Sequence, residues 1–203
     1  MDQFVDIHTH KSNAVEGVIT PRSFGIHPWL TVSEITPIVA ESFPQDALMV
    51  GECGLDKCKG GEWEYQKTVF LQQLDLAERL QKPVVVHCVR AINELLELRK
   101  SRQWNQPWVF HGFRGNKQQA LQCQQMGIIC SFGEALIQKN NSKIRESLVS
   151  LGIGNGAARF FLETDDSPIA IQSLYDEVSS LLHLELAQLK EALFRAYHAL
   201  FNR

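Results

Sequence analysis

Two histidines stand one residue apart at the end of FVDIHTH, residues 4–10. In an extended strand the side chains at i and i+2 leave the same face. The rings of His8 and His10 would then converge on one point, and convergent neutral imidazoles bind divalent ions well. Two solvated histidines at a surface strand end would be spelled the same way, so this short motif decides nothing by itself.

The pattern recurs along the chain. SFGIHP closes on His27, ALMVGE on Glu52, PVVVH on His87, PWVFH on His111 and FFLETD on Asp165. Each of these residues follows a short β-rich apolar run. A scatter of packed core histidines would not fall at strand ends so consistently. Histidine, glutamate and aspartate together suit a divalent ion such as Mg, Mn or Zn. His8, His10, Glu52, His87, His111 and Asp165 offer more ligands than one tetrahedral site needs. Two ions sharing Glu52 as a bridging carboxylate would use them all. Such pairs clamp the attacking and leaving oxygens of a displacement at phosphorus, with an ion-bound hydroxide as nucleophile. One or two ions per chain are therefore expected. His27 reads as a substrate contact rather than a ligand. In LETDDSP, Glu163 and Asp166 compete with Asp165 for the catalytic place, and Asp166 and Ser167 could instead cap the next turn. His183 and His198 read as exposed or half-buried helix residues.

These groups need a scaffold that carries strand ends to one rim. Helical stretches fall at 31–43, 63–81, 91–102, 116–126, 139–151 and 173–202. Phe70, Leu74, Ala77 and Leu80 recur at helical spacing in the second, and Leu186, Leu189, Leu193, Ala196 and Leu200 in the last, so both stripes should face a core. Strands alternating with helices imply parallel βαβ units. With no linker in 203 residues, the expectation is a single domain over 1–203. Its fold class would be α/β, a TIM-type barrel trimmed to the lower size limit of roughly 200 residues, with the site at the C-terminal ends of the strands. An open doubly wound sheet fits less well, because no Gly-rich loop follows the first strand.

Composition narrows the partners. The formal net charge is −3, whereas a broad duplex-binding surface would make the chain basic. A nucleic acid would be held locally, at a site, and through a metal. The five cysteines include no CxxC pair, which favours reduced thiols in a cytoplasmic protein over a zinc site on Cys53 and Cys58. The amino-terminal segment has neither the basic region nor the apolar core of a signal peptide. No run approaches the length of a membrane span, and no obligate protein partner is evident.

Taken together, DIHTH, GIHPW, GECGLD, KPVVVHCVRA, HGFRG, GIICSFG and ETDDSP resemble the TatD family of metal-dependent deoxyribonucleases, within the amidohydrolase superfamily. They run in the family's order over nearly the whole chain. The resemblance implies a TIM barrel with a one- or two-metal centre. His8 and His10 would hold the first ion and Glu52 would bridge. His87 and His111 would hold the second, and Asp165 would complete the site and orient or deprotonate the attacking water. The implied reaction is phosphodiester hydrolysis, with 3′-to-5′ exonuclease character on DNA ends. Arg90, in HCVRA, would grip phosphate, and Arg114, in HGFRG, is a weaker candidate. Trp29 and Phe113 could stack a terminal base or pack in the core.

The sequence also departs from that family. The segment between DIHTH and GIHPW is too short for a full βα unit. The basic, proline-rich loop expected after ETDDSP is absent. All six metal-ligand positions are filled, so the departures bear on substrate choice, DNA or a smaller phosphodiester, rather than on hydrolysis. Two alternatives stand beside this reading. One is hydrolysis of a small phosphoester, amide or lactone on the same barrel, although no lysine ends a strand to serve as a carboxylated bridge. The other is a non-catalytic, metal-stabilised binding module.

Overall fold

The computed structural model describes residues 3–11, 15–32, 35–138 and 140–202. In chain order its strands are β1 (Phe4–Val5), β2 (Val18–Ile19), β3 (Ser23–Phe24), β4 (Met49–Asp56), β5 (Val84–Val89), β6 (Trp108–Phe110), β7 (Ile128–Phe132), β8 (Ile153–Gly154), β9 (Ala157–Ala158) and β10 (Phe160–Leu162). Its α-helices are α1 (Trp63–Leu80), α2 (Ile92–Ser101), α3 (Lys117–Gln125), α4 (Ser142–Leu151), α5 (Ile171–Leu182) and α6 (Leu186–Phe201). The residues cluster into two compact units. The first is Met1–Pro21 with His111–Arg203, and the second is Arg22–Phe110.

In the first unit β1 pairs with β2 and β10 with β7, both in parallel. The extended backbone continues past β1. Ile7 donates to Leu162 O (3.0 Å), Asp165 to His8 O (3.0 Å) and His10 to Asp165 O (3.2 Å). The segment carrying His8 and His10 is thereby zipped to the one carrying Glu163 and Asp165. Val5, Ile7, Phe160, Phe161 and Leu162 are fully buried, as are Leu189 and Leu193 from the α6 stripe. Tyr175, on α5, closes this core. Its ring meets Phe4 edge-on at 4.9 Å, and its hydroxyl accepts from Val5 N (2.8 Å) while donating to Val5 O (3.1 Å). Tyr175→Phe would keep the ring and strand both backbone groups in the core. The expected cost is about 2 kcal/mol, read as a lower urea midpoint with an unchanged m-value.

In the second unit β3, β4, β5 and β6 pair in parallel, in that order. The β5 run Val84, Val85 and Val86 is fully buried, as are Phe70 and Ala77 on α1, and Leu74 nearly so. A β-rich run buried on both faces is what a parallel strand requires. The β4–β5 register slips between Val50 and Cys53.

Two expected helices change. Within the described part of 31–43 there is no α-helix, only a 3₁₀ turn at Ala40–Ser42. Thr31, Val32, Ile35 and Thr36 are β-branched, and Pro37 restricts Thr36 to extended backbone. The 173–202 stretch is broken, with His183 in the left-handed conformation between α5 and α6 (φ 53°). Residues 33, 34 and 139 of the expected helices lie outside the described residues. No described helix is long and apolar enough to cross a membrane.

Candidate metal centre

The zipped backbone of the first unit delivers the convergence that i, i+2 spacing implies. The rings of His8 and His10 lie 5.0 Å apart. Their Nε2 atoms are 3.8 and 3.4 Å from Asp165 Oδ1. Ligand atoms of His8, His10 and Asp165 fall within 4.8 Å of one another. Asp165 takes left-handed backbone (φ 49°), which aspartate tolerates better than most residues. His111 follows β6, with its ring 4.8 Å from that of His8. It forms a second possible trio with Glu163 and Asp165. Glu163 is 1% exposed. Its Oε1 accepts from Gly112 N and lies 3.6 Å from His111 Nδ1. Burial favours the protonated acid, but His111 and His8 outweigh it and hold the carboxyl below its usual range.

Asp6 ties this cluster together. It is buried, and accepts from Thr164 N (2.9 Å) and Thr164 Oγ1 (2.7 Å). Thr164 stands between Glu163 and Asp165. Burial pushes the Asp6 carboxyl up to about 6 against those two hydrogen bonds.

In the second unit His27, Glu52 and His87 form a trio of possible ligands. Glu52 sits at the register slip of β4, where a bulge re-aims a side chain. The flanking glycines are required there. Gly51 and Gly54 have φ of 132° and 146°, and a Cβ on either would run into the carbonyl of Val85 or His87. Glu52 Oε2 lies 3.7 Å from His27 Nε2 and 3.9 Å from His87 Nδ1.

The two imidazoles are held in opposite ways. His87 Nε2 donates to Asp56 Oδ2 at 3.1 Å, so the lone pair of the neutral ring is on Nδ1, facing Glu52. A carboxylate behind a ligating histidine is a common orienting device. Burial works against the Asp56 anion, but the Trp29 indole, the Cys58 amide and His87 hold its carboxyl below the usual range. His27 Nδ1 instead accepts from Trp29 N at 3.1 Å. Its neutral ring therefore carries the proton on Nε2. That atom donates towards Glu52 and has no lone pair for an ion. In this arrangement Nε2 of His27 faces Glu52 as a donor.

Helix α1 positions this second cluster with two buried glutamines. Gln66 Oε1 accepts from Asp56 N (2.8 Å), and its Nε2 donates to Asp56 O (3.0 Å). Gln73 does the same for Ile26, the neighbour of His27, at 2.6 and 3.0 Å. Arg90 follows β5 and is exposed, with φ 53°. Phe113 is 1% exposed and is a core residue, whereas Trp29 is 42% exposed. His183 and His198 are exposed.

Three supporting residues escape the sequence reading, and a fourth, Glu163, enters it only as a competitor of Asp165. Glu163 obeys the same i, i+2 rule with Asp165 that singles out His8 and His10. Asp56 lies an even number of positions after Glu52 in one strand. Gln66 and Gln73 are seven apart, which puts two polar groups on the buried stripe of α1.

A family model described as TatD related DNase matches residues 6–202. Two bacterial relatives are similar. An uncharacterized metal-dependent hydrolase, YjjV of Escherichia coli K12, is 33% identical over 132 residues, 64% of this chain and 49% of that protein. The 3′-5′ ssDNA/RNA exonuclease TatD of Klebsiella pneumoniae is 31% identical over 156 residues, 70% of this chain and 55% of that protein. The chain thus spans about half the length of these relatives. The crystal structure of the E. coli YjjV TatD homologue superposes with a TM-score of 0.76 at 22% identity, over 100% of this chain and 87% of that one. This likeness shows the fold, the α/β fold of a TatD homologue, in keeping with the TIM-type barrel expected from the sequence.

Proposed function

Since this chain belongs to the family of TatD-related DNases, we propose that it is a metal-dependent phosphodiester hydrolase acting on the ends of DNA strands. The observation that carries this reading is the clustering of imidazole and carboxylate ligand atoms within 4.8 Å in each unit. His8, His10, His111 and Asp165 would hold a divalent ion in the first unit, and Glu52 with His87 one in the second. The donor chemistry fits. His87 is oriented by Asp56 with its lone pair towards Glu52, and Glu163 Oε2 is buried with no hydrogen-bond partner among the described residues, a state that a cation would relieve. The similarity to the Klebsiella 3′-5′ ssDNA/RNA exonuclease supports the choice of nucleic acid.

When bound, such ions polarise the phosphoryl oxygen and lower the pKa of water. The chain supplies the rest. Asp165 lies within reach of both His8 and His10 and accepts the proton of the attacking water. His27, protonated at Nε2, donates a hydrogen bond to substrate or to Glu52. Arg90 offers a guanidinium for a non-bridging phosphate oxygen.

Chelation followed by reloading with Mg, Mn or Zn tests this function. Stripped protein should be inactive on single-stranded DNA and on bis(p-nitrophenyl) phosphate, and at least one ion should restore both activities. Turnover that survives complete metal removal would end the proposal.

A further inference from the structure

The loops that follow β6, β7 and β10 in the first unit enclose a pocket of about 290 Å³. Glu163 and Asp165 line its interior, and the exposed Arg114, Glu134 and Asp166 line its outer part. Gly133 packs closely on the Glu163 backbone, where a Cβ would come within 3.2 Å of the carbonyl oxygen. Two properties define what can enter. The first is size. The volume lies at the lower limit of ligand pockets, which run from roughly 300 to 1,000 Å³, so it has room for about one ring-bearing unit.

The second is charge. Four carboxylates and one guanidinium line the pocket. Ions held at Asp165 would offset the inner pair. Glu134 and Asp166 would keep their charge, with Arg114 as the one cation among the lining residues. A phosphate brought against them meets repulsion, while hydroxyl and amino groups find acceptors. Inside, Glu163 Oε2 is the buried carboxylate oxygen that an ion would satisfy, which leaves the outer carboxylates to meet the substrate.

We propose that this pocket receives the end unit of the substrate strand as an uncharged nucleoside, and that Glu134 and Asp166 reject an end capped by phosphate. The inference rests on the phosphodiesterase reading and sharpens it. It favours an uncapped end because a terminal phosphate meets the charge of Glu134 and Asp166.

The test uses metal-loaded full-length protein and two sequence-matched pairs of single-stranded oligonucleotides. One pair differs only in hydroxyl or phosphate at the 3′ end, the other only at the 5′ end. Bis(p-nitrophenyl) phosphate, which has no strand end, runs in parallel. At one end the hydroxyl form should be cut at least tenfold faster, and the Glu134→Gln/Asp166→Asn double variant should narrow that ratio to about threefold. Both positions are exposed and both changes keep the side-chain shape, so the variant should fold. Equal rates within both pairs would overturn the inference. So would a preference that the double variant leaves unchanged, or internal cuts in place of end release. Hydrolysis of the generic ester with every oligonucleotide untouched would overturn the pocket assignment and leave hydrolase chemistry standing. Failure on the generic ester as well would remove the phosphodiesterase reading itself, and the pocket assignment with it.

Discussion

Glu52→Ala should lower metal-dependent turnover about a thousandfold, equivalent to roughly 4 kcal/mol of transition-state stabilisation, and should leave the protein folded. Glu52 is the carboxylate of the second unit's trio, and its side chain is 8% exposed between two imidazoles. Without it, His87 keeps its orientation from Asp56, but an ion there loses its anionic ligand. The fold should survive because Gly51 and Gly54, not the Glu52 side chain, shape the β4 bulge. Three readings separate the cases. Bound metal, counted by mass spectrometry, should fall. The rise in melting temperature that metal gives the wild type should shrink, as mass action requires for a weakened site. The metal-free melting temperature should move by no more than a few degrees. Glu52→Gln, equal in size but neutral, should behave like the alanine variant if charge is what matters. Near-wild-type turnover at full metal occupancy would exclude Glu52 as a ligand.

What the sequence made legible follows from periodicity. His8 and His10 converge because a strand has a period of two, and nothing in the surrounding chain disturbs it. Their rings do lie together beside Asp165. The α1 and α6 stripes are buried because helical spacing leaves an apolar face no other place to go. Glu52 could be named from GECG, but its aim depends on a register slip between β4 and β5. That slip arises from pairing with a strand more than thirty residues away, and no local pattern encodes it. The tautomer of His87 is hidden for the same reason, since it is set by Asp56 on the neighbouring strand, whereas that of His27 is set locally, by the amide of Trp29 two residues on. The expected helix at 31–43 shows the opposite error. Its apolar residues have helical spacing, yet β-branching and Pro37 outweigh so weak a signal.

The second large effect concerns a residue that touches neither substrate nor ion. Asp6→Ala should cost about 3 kcal/mol of stability and weaken metal binding in the first unit. Thr164 is 2% exposed, and its N–H and hydroxyl both use Asp6 as acceptor. Alanine leaves the Thr164 amide buried and unsatisfied, at roughly 1–3 kcal/mol before relaxation, and leaves its hydroxyl to Thr9 Oγ1 at 2.8 Å. Thr164 holds Glu163 on one side and Asp165 on the other, so its displacement should also lower metal affinity by calorimetric titration. Asp6→Asn should retain most of both properties, because its Oδ1 still accepts the amide and its Nδ2 can donate to the hydroxyl. The pH dependence separates charge from hydrogen bonding. The Asp6 carboxyl is pushed up to about 6 in the folded protein, above the roughly 3.9 of an unfolded chain. Its contribution to stability is thus fully present below pH 4 and is lost as the pH rises through 6. Asparagine carries no such charge. In metal-free protein the stability of Asp6→Asn relative to wild type should therefore rise between pH 4 and pH 6 and level off above that. A flat difference across the range would mean that Asp6 titrates normally and that Thr164 is held by something else.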